Sequence, residues 1–188
     1  QLLETPLLNM INFQTLIATK ASRMRLAAGE NTLIDFGLRR AQGPGGYYAS
    51  RACFVGGFNA TSNVVAGRDY GIPVSGTMAH SYIESFDDEL KAFSHFAEGQ
   101  PVGCVLLVDT YDTLDSGLPN AILTAKMMEE KGHRLYGIRL DSGDLAYLSK
   151  QCREILDKAG LNYVKIAASN QLDEHIIKSL LEQHAPID

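Results

Sequence analysis

Five short apolar runs punctuate the chain: Thr32–Phe36, Ile72–Ser75, Gly103–Val108, Leu135–Leu140 and Tyr163–Ala167. The last four begin roughly 30 residues apart, the size of one strand-plus-helix unit. Val105-Leu106-Leu107-Val108 is apolar at every position. Both faces of that strand must therefore be covered, as in a parallel sheet layered with helices. Between the later runs the period becomes that of a helix. Leu118, Ala121, Ile122, Ala125 and Met128 form one stripe, and Leu145, Leu148, Cys152, Ile155, Leu156 and Ala159 a second. Ile176, Ile177, Leu180 and Leu181 form a third. Gly132 and Gly160 stand where C-terminal caps belong. Upstream, Thr5-Pro6 offers a capping hydroxyl and a proline for the first helical position, and Gly29 is a natural stop after Ala28. The pattern predicts an α/β fold behind a helical lead-in over residues 1–31. An open doubly wound sheet and a barrel fit it equally.

Gly43-Pro44-Gly45-Gly46-Tyr47-Tyr48 is too glycine-rich for an element interior. It predicts a plain turn, or a loop that lets a ligand approach the backbone. Composition adds little: 188 residues, 45% hydrophobic and 21% charged, suit one globular domain. No run approaches the roughly 18 apolar residues of a membrane span. The formal charge of -5 argues against nucleic acid or an anionic lipid surface as partner. Cys53, Cys104 and Cys152 are far apart and odd in number, which predicts buried thiols in a reducing cytoplasm over a disulfide or a zinc site. The chain opens at Gln1 without a secretory n-region and stops soon after His184-Ala185-Pro186, which reads as a piece of a longer polypeptide.

Candidate chemistry gathers where the apolar runs end. Ligands of parallel α/β folds bind at the carboxyl ends of the strands. The runs here end in Asp35-Phe36-Gly37-Leu38-Arg39-Arg40, Ser75-Gly76-Thr77-Met78-Ala79-His80-Ser81, Asp109-Thr110-Tyr111-Asp112-Thr113, Arg139-Leu140-Asp141-Ser142-Gly143-Asp144 and Ser169-Asn170-Gln171. Asp144 and Asp173 suit helix caps. Arg139 and Asp141, two apart, face one side of a strand. They fit either a structural ion pair or a phosphosugar, with guanidinium for anion and carboxylate for ribose hydroxyls. Asp109 and Asp112 could hold Mg²⁺ through water and substrate phosphates. His95, His133, His175 and His184 fall away from these ends and read as surface residues.

At these blocks, together with Leu7-Leu8-Asn9, the sequence resembles the nicotinate phosphoribosyltransferases, type II phosphoribosyltransferases alongside the nicotinamide and quinolinate enzymes. The resemblance implies an irregular parallel α/β barrel, of which residues 32–188 would be a catalytic segment truncated at both ends. It implies a cytoplasmic homodimer with active sites near the subunit interface. It implies transfer of phosphoribose from phosphoribosyl pyrophosphate to nicotinate, in NAD salvage, with ATP as co-substrate and Mg²⁺ as cofactor. By position, His80 matches the histidine that ATP phosphorylates, and Arg139 and Asp141 match catalytic-site residues at the ribose. Phe36 matches the aromatic stacked on the pyridine, with Arg39 beside it; Thr77 lies at the nicotinate end. Asp112 matches the acidic residue near metal and pyrophosphate.

Thr61-Ser62-Asn63 replaces an aspartate of the nicotinamide enzyme, so neutral groups such as Asn63 favour the acid over the amide. Ser169-Asn170 replaces that enzyme's Gly-Asp, a weaker contact to ribose or phosphate. The family's phosphate-cradling loop is expected beyond Asp188 and its sandwich tyrosine before Gln1, so the 188 residues alone are expected to be inactive. The competing readings are a nicotinamide phosphoribosyltransferase, a piece without activity that serves structure or interaction, and an unrelated phosphosugar barrel. The last would want a catalytic lysine at a strand end, and none is there.

Overall fold

A computed structural model describes residues 2–188. Contacts divide them into two compact units, one ending at Gly76 and taking in Asp173–Lys178, the other comprising Thr77–Leu172 and Ser179–Asp188. The sequence pattern drew its line elsewhere, after residue 31. That line follows the end of a helix, whereas the units follow packing.

In the first unit, α1 (Glu4–Ala28) is closed by Gly29, whose N–H donates to the Arg25 carbonyl at 3.1 Å. Leu3 stands at the N-cap without a side-chain hydrogen bond, so Thr5 lies inside the first turn and does not cap it. Strand β1 (Ile34–Asp35) pairs in parallel with β2 (Ala60–Thr61), Ile34 opposite Ala60 and Asp35 opposite Thr61. The expected run Ile72–Ser75 supplies a single bridge, Val74 to Thr61. Helix α2 (Gly45–Val55) begins within the glycine-rich stretch expected to be a turn or loop. Close approach is the cause: a Cβ on Gly46 would lie 3.0 Å from the Leu38 carbonyl oxygen. Helix α3 spans Val64–Tyr70.

The second unit carries α4 (His80–Glu84), α5 (Glu89–Gly99), β3 (Val105–Leu107), α6 (Leu118–Glu130), β4 (Gly137–Leu140), α7 (Leu145–Lys158) and β5 (Lys165–Ala168). The sheet is parallel with β4 in the middle; Leu107 pairs with Arg139, and Arg139 with Ala167. Three of the predicted runs thus become its strands. Leu106, Leu107, Val108, Ile138, Leu140 and Ile166 are fully buried, against Leu118, Ala121 and Ala125 of α6 and Cys152 and Leu156 of α7. Each large side chain so buried contributes roughly 1.5–3 kcal/mol.

The other predicted caps hold. Gly132 and Gly160 sit at φ 78° just past α6 and α7, and the N–H groups of His133 and Leu161 close the turns onto Met128 and Leu156. Asp144 accepts from the Tyr147 amide at 3.0 Å at the start of α7. Asp173 accepts from the His175 and Ile176 amides before the last helix, α8 (Glu174–Glu182). His95, His133, His175 and His184 are exposed. All three cysteines are free, Cys104 and Cys152 buried and Cys53 half-buried. No described helix is long and apolar enough to cross a membrane.

Candidate active site

In the second unit, His80 is the first residue of α4, and its Nε2 lies 3.3 Å from Oδ1 of Asp109. The histidine side chain is 35% exposed and the aspartate only 2%. Asp109 follows the apolar β3 run directly, so its backbone is fixed by core packing. Its other oxygen, Oδ2, accepts from the Asp141 amide at 2.9 Å and the Ser142 hydroxyl at 2.5 Å. One carboxylate therefore faces the histidine and ties down the turn after β4. Asp109, expected beside Asp112 as a Mg²⁺ candidate, is filled by protein donors.

A second network lies on the same unit. Arg139, buried on β4, donates from one terminal nitrogen to the Thr77 hydroxyl and to the Met78 carbonyl, the latter at 3.5 Å. Its other terminal nitrogen stands 3.8 Å from Oδ1 of Asp141. That oxygen also accepts from the Ser169 hydroxyl, and the Ser169 amide donates to the Leu140 carbonyl at 2.8 Å. Thr77, Arg139, Asp141 and Ser169 are thus brought together, a paired cation and anion with two hydroxyls, Arg139, Asp141 and Ser169 lying at the ends of the adjacent strands β4 and β5. Asn170 is exposed at φ 82°, outside this network.

Asp112 is placed differently. Its Oδ1 accepts from the Leu114 and Asp115 amides at 2.9 and 2.7 Å, capping a π-helical turn over Thr113–Gly117. Among the described residues no group of three His, Cys, Asp or Glu converges to hold a metal. A single exposed carboxylate still fits Mg²⁺, which keeps its waters and is bound through one or two carboxylates plus substrate phosphates.

In the first unit, Phe36 is half-buried before a 3₁₀ turn, Gly37–Arg40, that exposes Arg39. Buried Asp35 anchors this turn, accepting from the Gly37 amide at 2.7 Å and the Thr61 hydroxyl at 2.8 Å. Its carbonyl accepts from the Ser62 amide and hydroxyl. Burial, reinforced by the Asp35 charge, pushes the Cys53 thiol up to about 12. Asn63 is buried as the N-cap of α3: its Oδ1 accepts from the Ala66 amide at 3.2 Å, and its Nδ2 donates to the Gly46 carbonyl at 3.4 Å. The structure therefore engages both ends of that amide within the fold.

Sequence reasoning did not pair Asp109 with His80 and passed over Asp35 and Glu89. A carboxylate immediately after an apolar run was the available signal for the first two; Glu89 had none.

Parallel strands whose carboxyl ends carry Asp109, Arg139, Asp141 and Ser169, with Thr77 and His80 hydrogen-bonded to them, define part of an α/β barrel of the type II phosphoribosyltransferase class. Structural comparison agrees. The crystal structure of human nicotinic acid phosphoribosyltransferase matches all of this chain and 48% of its own, with a TM-score of 0.92 and 35% identity. That of nicotinate-nucleotide pyrophosphorylase from Pyrococcus furiosus matches 94% of this chain and 45% of its own, with a TM-score of 0.81 and 30% identity. Residues 32–184 match the model of the nicotinate phosphoribosyltransferase (NAPRTase) family, and the chain belongs to that family. A nicotinate phosphoribosyltransferase of Bacillus subtilis (strain 168) is 53% identical across the whole chain, which spans 38% of that relative's length. For nicotinate phosphoribosyltransferase 2 of Arabidopsis thaliana the identity is 38% and the share of its length 44%.

Proposed function

We propose that this chain carries the catalytic strand ends of an enzyme that transfers phosphoribose from phosphoribosyl pyrophosphate to nicotinate. The products are nicotinate mononucleotide and pyrophosphate, in NAD salvage, with ATP hydrolysis coupled through His80. The observation that carries the reading is the pair formed by His80 and buried Asp109. A carboxylate facing Nε2 favours the tautomer with its proton there and leaves the Nδ1 lone pair as nucleophile. Nδ1 attacks the γ-phosphorus of ATP, the bond to the bridging oxygen breaks, and ADP leaves. Water later takes the phosphoryl group as phosphate and frees the ring.

In the transfer itself, the ring nitrogen of nicotinate bonds to C1 of the ribose as the bond from C1 to pyrophosphate oxygen breaks. Positive charge develops on the ribose. Asp141, oriented by Ser169, supplies a fixed negative charge and accepts from ribose hydroxyls. Arg139, braced on Thr77, faces the anionic side of the substrates. Phe36 would stack on the pyridine and Arg39 pair with its carboxylate. Thr61-Ser62-Asn63 is neutral where a carboxylate would repel nicotinate, which supports the acid over the amide. Asp112 would hold Mg²⁺, which supplies charge neutralisation to the departing pyrophosphate. ATP, Mg²⁺, a homodimeric state and a cytoplasmic location rest on the family resemblance.

The test is substitution of His80 in the full chain. With His80→Ala, ATP-dependent incorporation of ³²P vanishes and kcat/KM for nicotinate falls sharply, while unassisted transfer suffers less. Labelling that survives the substitution rejects His80 as acceptor. Equal kcat/KM for nicotinamide rejects the choice of acid.

A further inference from the structure

Glu89 opens α5 yet is only 6% exposed. A carboxylate suits the first turn of a helix, because the dipole favours it there. Such residues ordinarily keep their charge in water. Glu89 instead reaches inward, and its Oε2 accepts from the Ser116 hydroxyl at 2.6 Å and the Asn120 amide at 2.9 Å. Its buried Oε1 accepts no hydrogen bond among the described residues. Burying a charge on two neutral donors, with one oxygen unsatisfied, is a poor way to stabilise a fold, and an apolar side chain would cost less.

What the carboxylate grips explains the arrangement. Ser116 lies in the π-helical turn Thr113–Gly117, and Asn120 in the first turn of α6. The turn is closed by the wide bond from the Gly117 amide to the Asp112 carbonyl, 2.7 Å. Such turns are intrinsically rare and are frequent at functional sites. This one is seated without slack: a Cβ at Gly117 would stand 1.8 Å from the Val108 carbonyl oxygen, at the end of β3. The loop Asp109–Asp112 is therefore held at one end by Asp109, through Asp141 and Ser142, and at the other by the π-turn and Glu89.

We propose that Glu89 is a positioning residue: through Ser116 and Asn120 it locks the π-turn that aims Asp112, and so sets affinity for the metal-bound pyrophosphate end of the donor substrate. This rests on the phosphoribosyl-transfer reading above. Glu89 touches no substrate and acts only through the turn.

The experiment compares Glu89→Ala and Glu89→Gln in the full chain. Initial rates are measured with magnesium phosphoribosyl pyrophosphate and nicotinate varied separately. Hydrogen exchange is followed at the amides of Leu114, Asp115, Ser116 and Gly117. Glu89→Ala raises the KM for the pyrophosphate donor about tenfold, the scale of one charge-assisted hydrogen bond, leaves the KM for nicotinate in place, and speeds exchange at those four amides. Glu89→Gln, which keeps an accepting oxygen, restores much of both. The inference is overturned if exchange in the turn is unchanged, or if both KM values and kcat move together. It is also overturned if only the melting temperature moves. Because exchange is read without substrate, a wild-type protein that forms no mononucleotide would reject the reaction and leave the locking of the turn to be judged separately; if Glu89→Ala does not fold, Ser116→Ala, which removes one donor to Glu89, carries both readouts with the same expected direction.

Discussion

Oδ1 of Asp109 faces Nε2 of His80 at 3.3 Å, while Oδ2 of the same carboxylate holds the Asp141 amide and the Ser142 hydroxyl. The two oxygens do different work, and an isosteric amide can imitate only one of them. Asp109→Asn is therefore expected to lower ATP-dependent labelling of His80 on the order of 10²-fold, the usual worth of an oriented acid–base partner. Asp112→Asn, in contrast, leaves labelling intact and weakens use of the pyrophosphate donor. Pulse labelling with [γ-³²P]ATP on both variants distinguishes them.

Thr77 matters to Arg139 as an acceptor. Thr77→Val keeps the shape but removes the oxygen from a buried guanidinium, at a cost of about 1.5–3 kcal/mol. Urea denaturation should show that loss, and Thr77→Ser, which keeps the hydroxyl, should recover it. A valine variant as stable as wild type would remove Thr77 from the network.

Two glycines separate close packing from backbone conformation. At Gly117 an added methyl meets the Val108 backbone, and α6 or β3 must shift. Gly117→Ala is expected to lose about 3 kcal/mol, the upper end of overpacking costs. Gly132 has open space but φ +78°. Gly132→Ala is expected to lose only about 1–2 kcal/mol, the strain of the left-handed region. Equal losses in thermal unfolding would refute this division.

Burial raises all three thiols, Cys104 and Cys152 to about 11 and Cys53 to about 12, from an ordinary value of 9.0. The folded state then holds protons that the unfolded chain has released. Stability from this source is intact below pH 9.0 and declines as pH rises through about 11 to 12. Alkylation at pH 8 should be slow in the native protein and fast in urea. Rapid native labelling of Cys104 or Cys152 would contradict their burial.

The second unit's sheet is legible in the sequence because β4 is buried at every position and β3 nearly so. Gly103–Val108 and Leu135–Leu140 contain β3 and β4, and Tyr163–Ala167 covers all of β5 but its last residue, Ala168. Strand β2 was not legible: two residues, Ala60 and Thr61, leave no periodicity to read, and Val74 joins them by one bridge. Gly45-Gly46 misled for a physical reason, since glycine there answers to the nearby Leu38 backbone and not to helix propensity. Candidate residues were visible as polar groups at run ends. Their partnerships were not, because His80 and Asp109 are 29 residues apart and meet only when α4 and β3 pack. Glu89 looked like any acid at a helix start; only burial distinguishes it.

Arg139 belongs at once to the ladder and to the proposed chemistry. Its carbonyl accepts from the Val108 amide at 3.1 Å, and its guanidinium reaches Thr77. The ladder bond survives any replacement, but a side chain that changes recognition also takes the buried donor from the Thr77 hydroxyl and the Met78 carbonyl. Exposed Asp112 carries a double duty of its own, since Oδ1 caps the π-turn through the Leu114 and Asp115 amides. Redesign of the proposed donor site at Asp112 must keep an oxygen that caps the turn, whereas at Arg139 it must keep a buried donor.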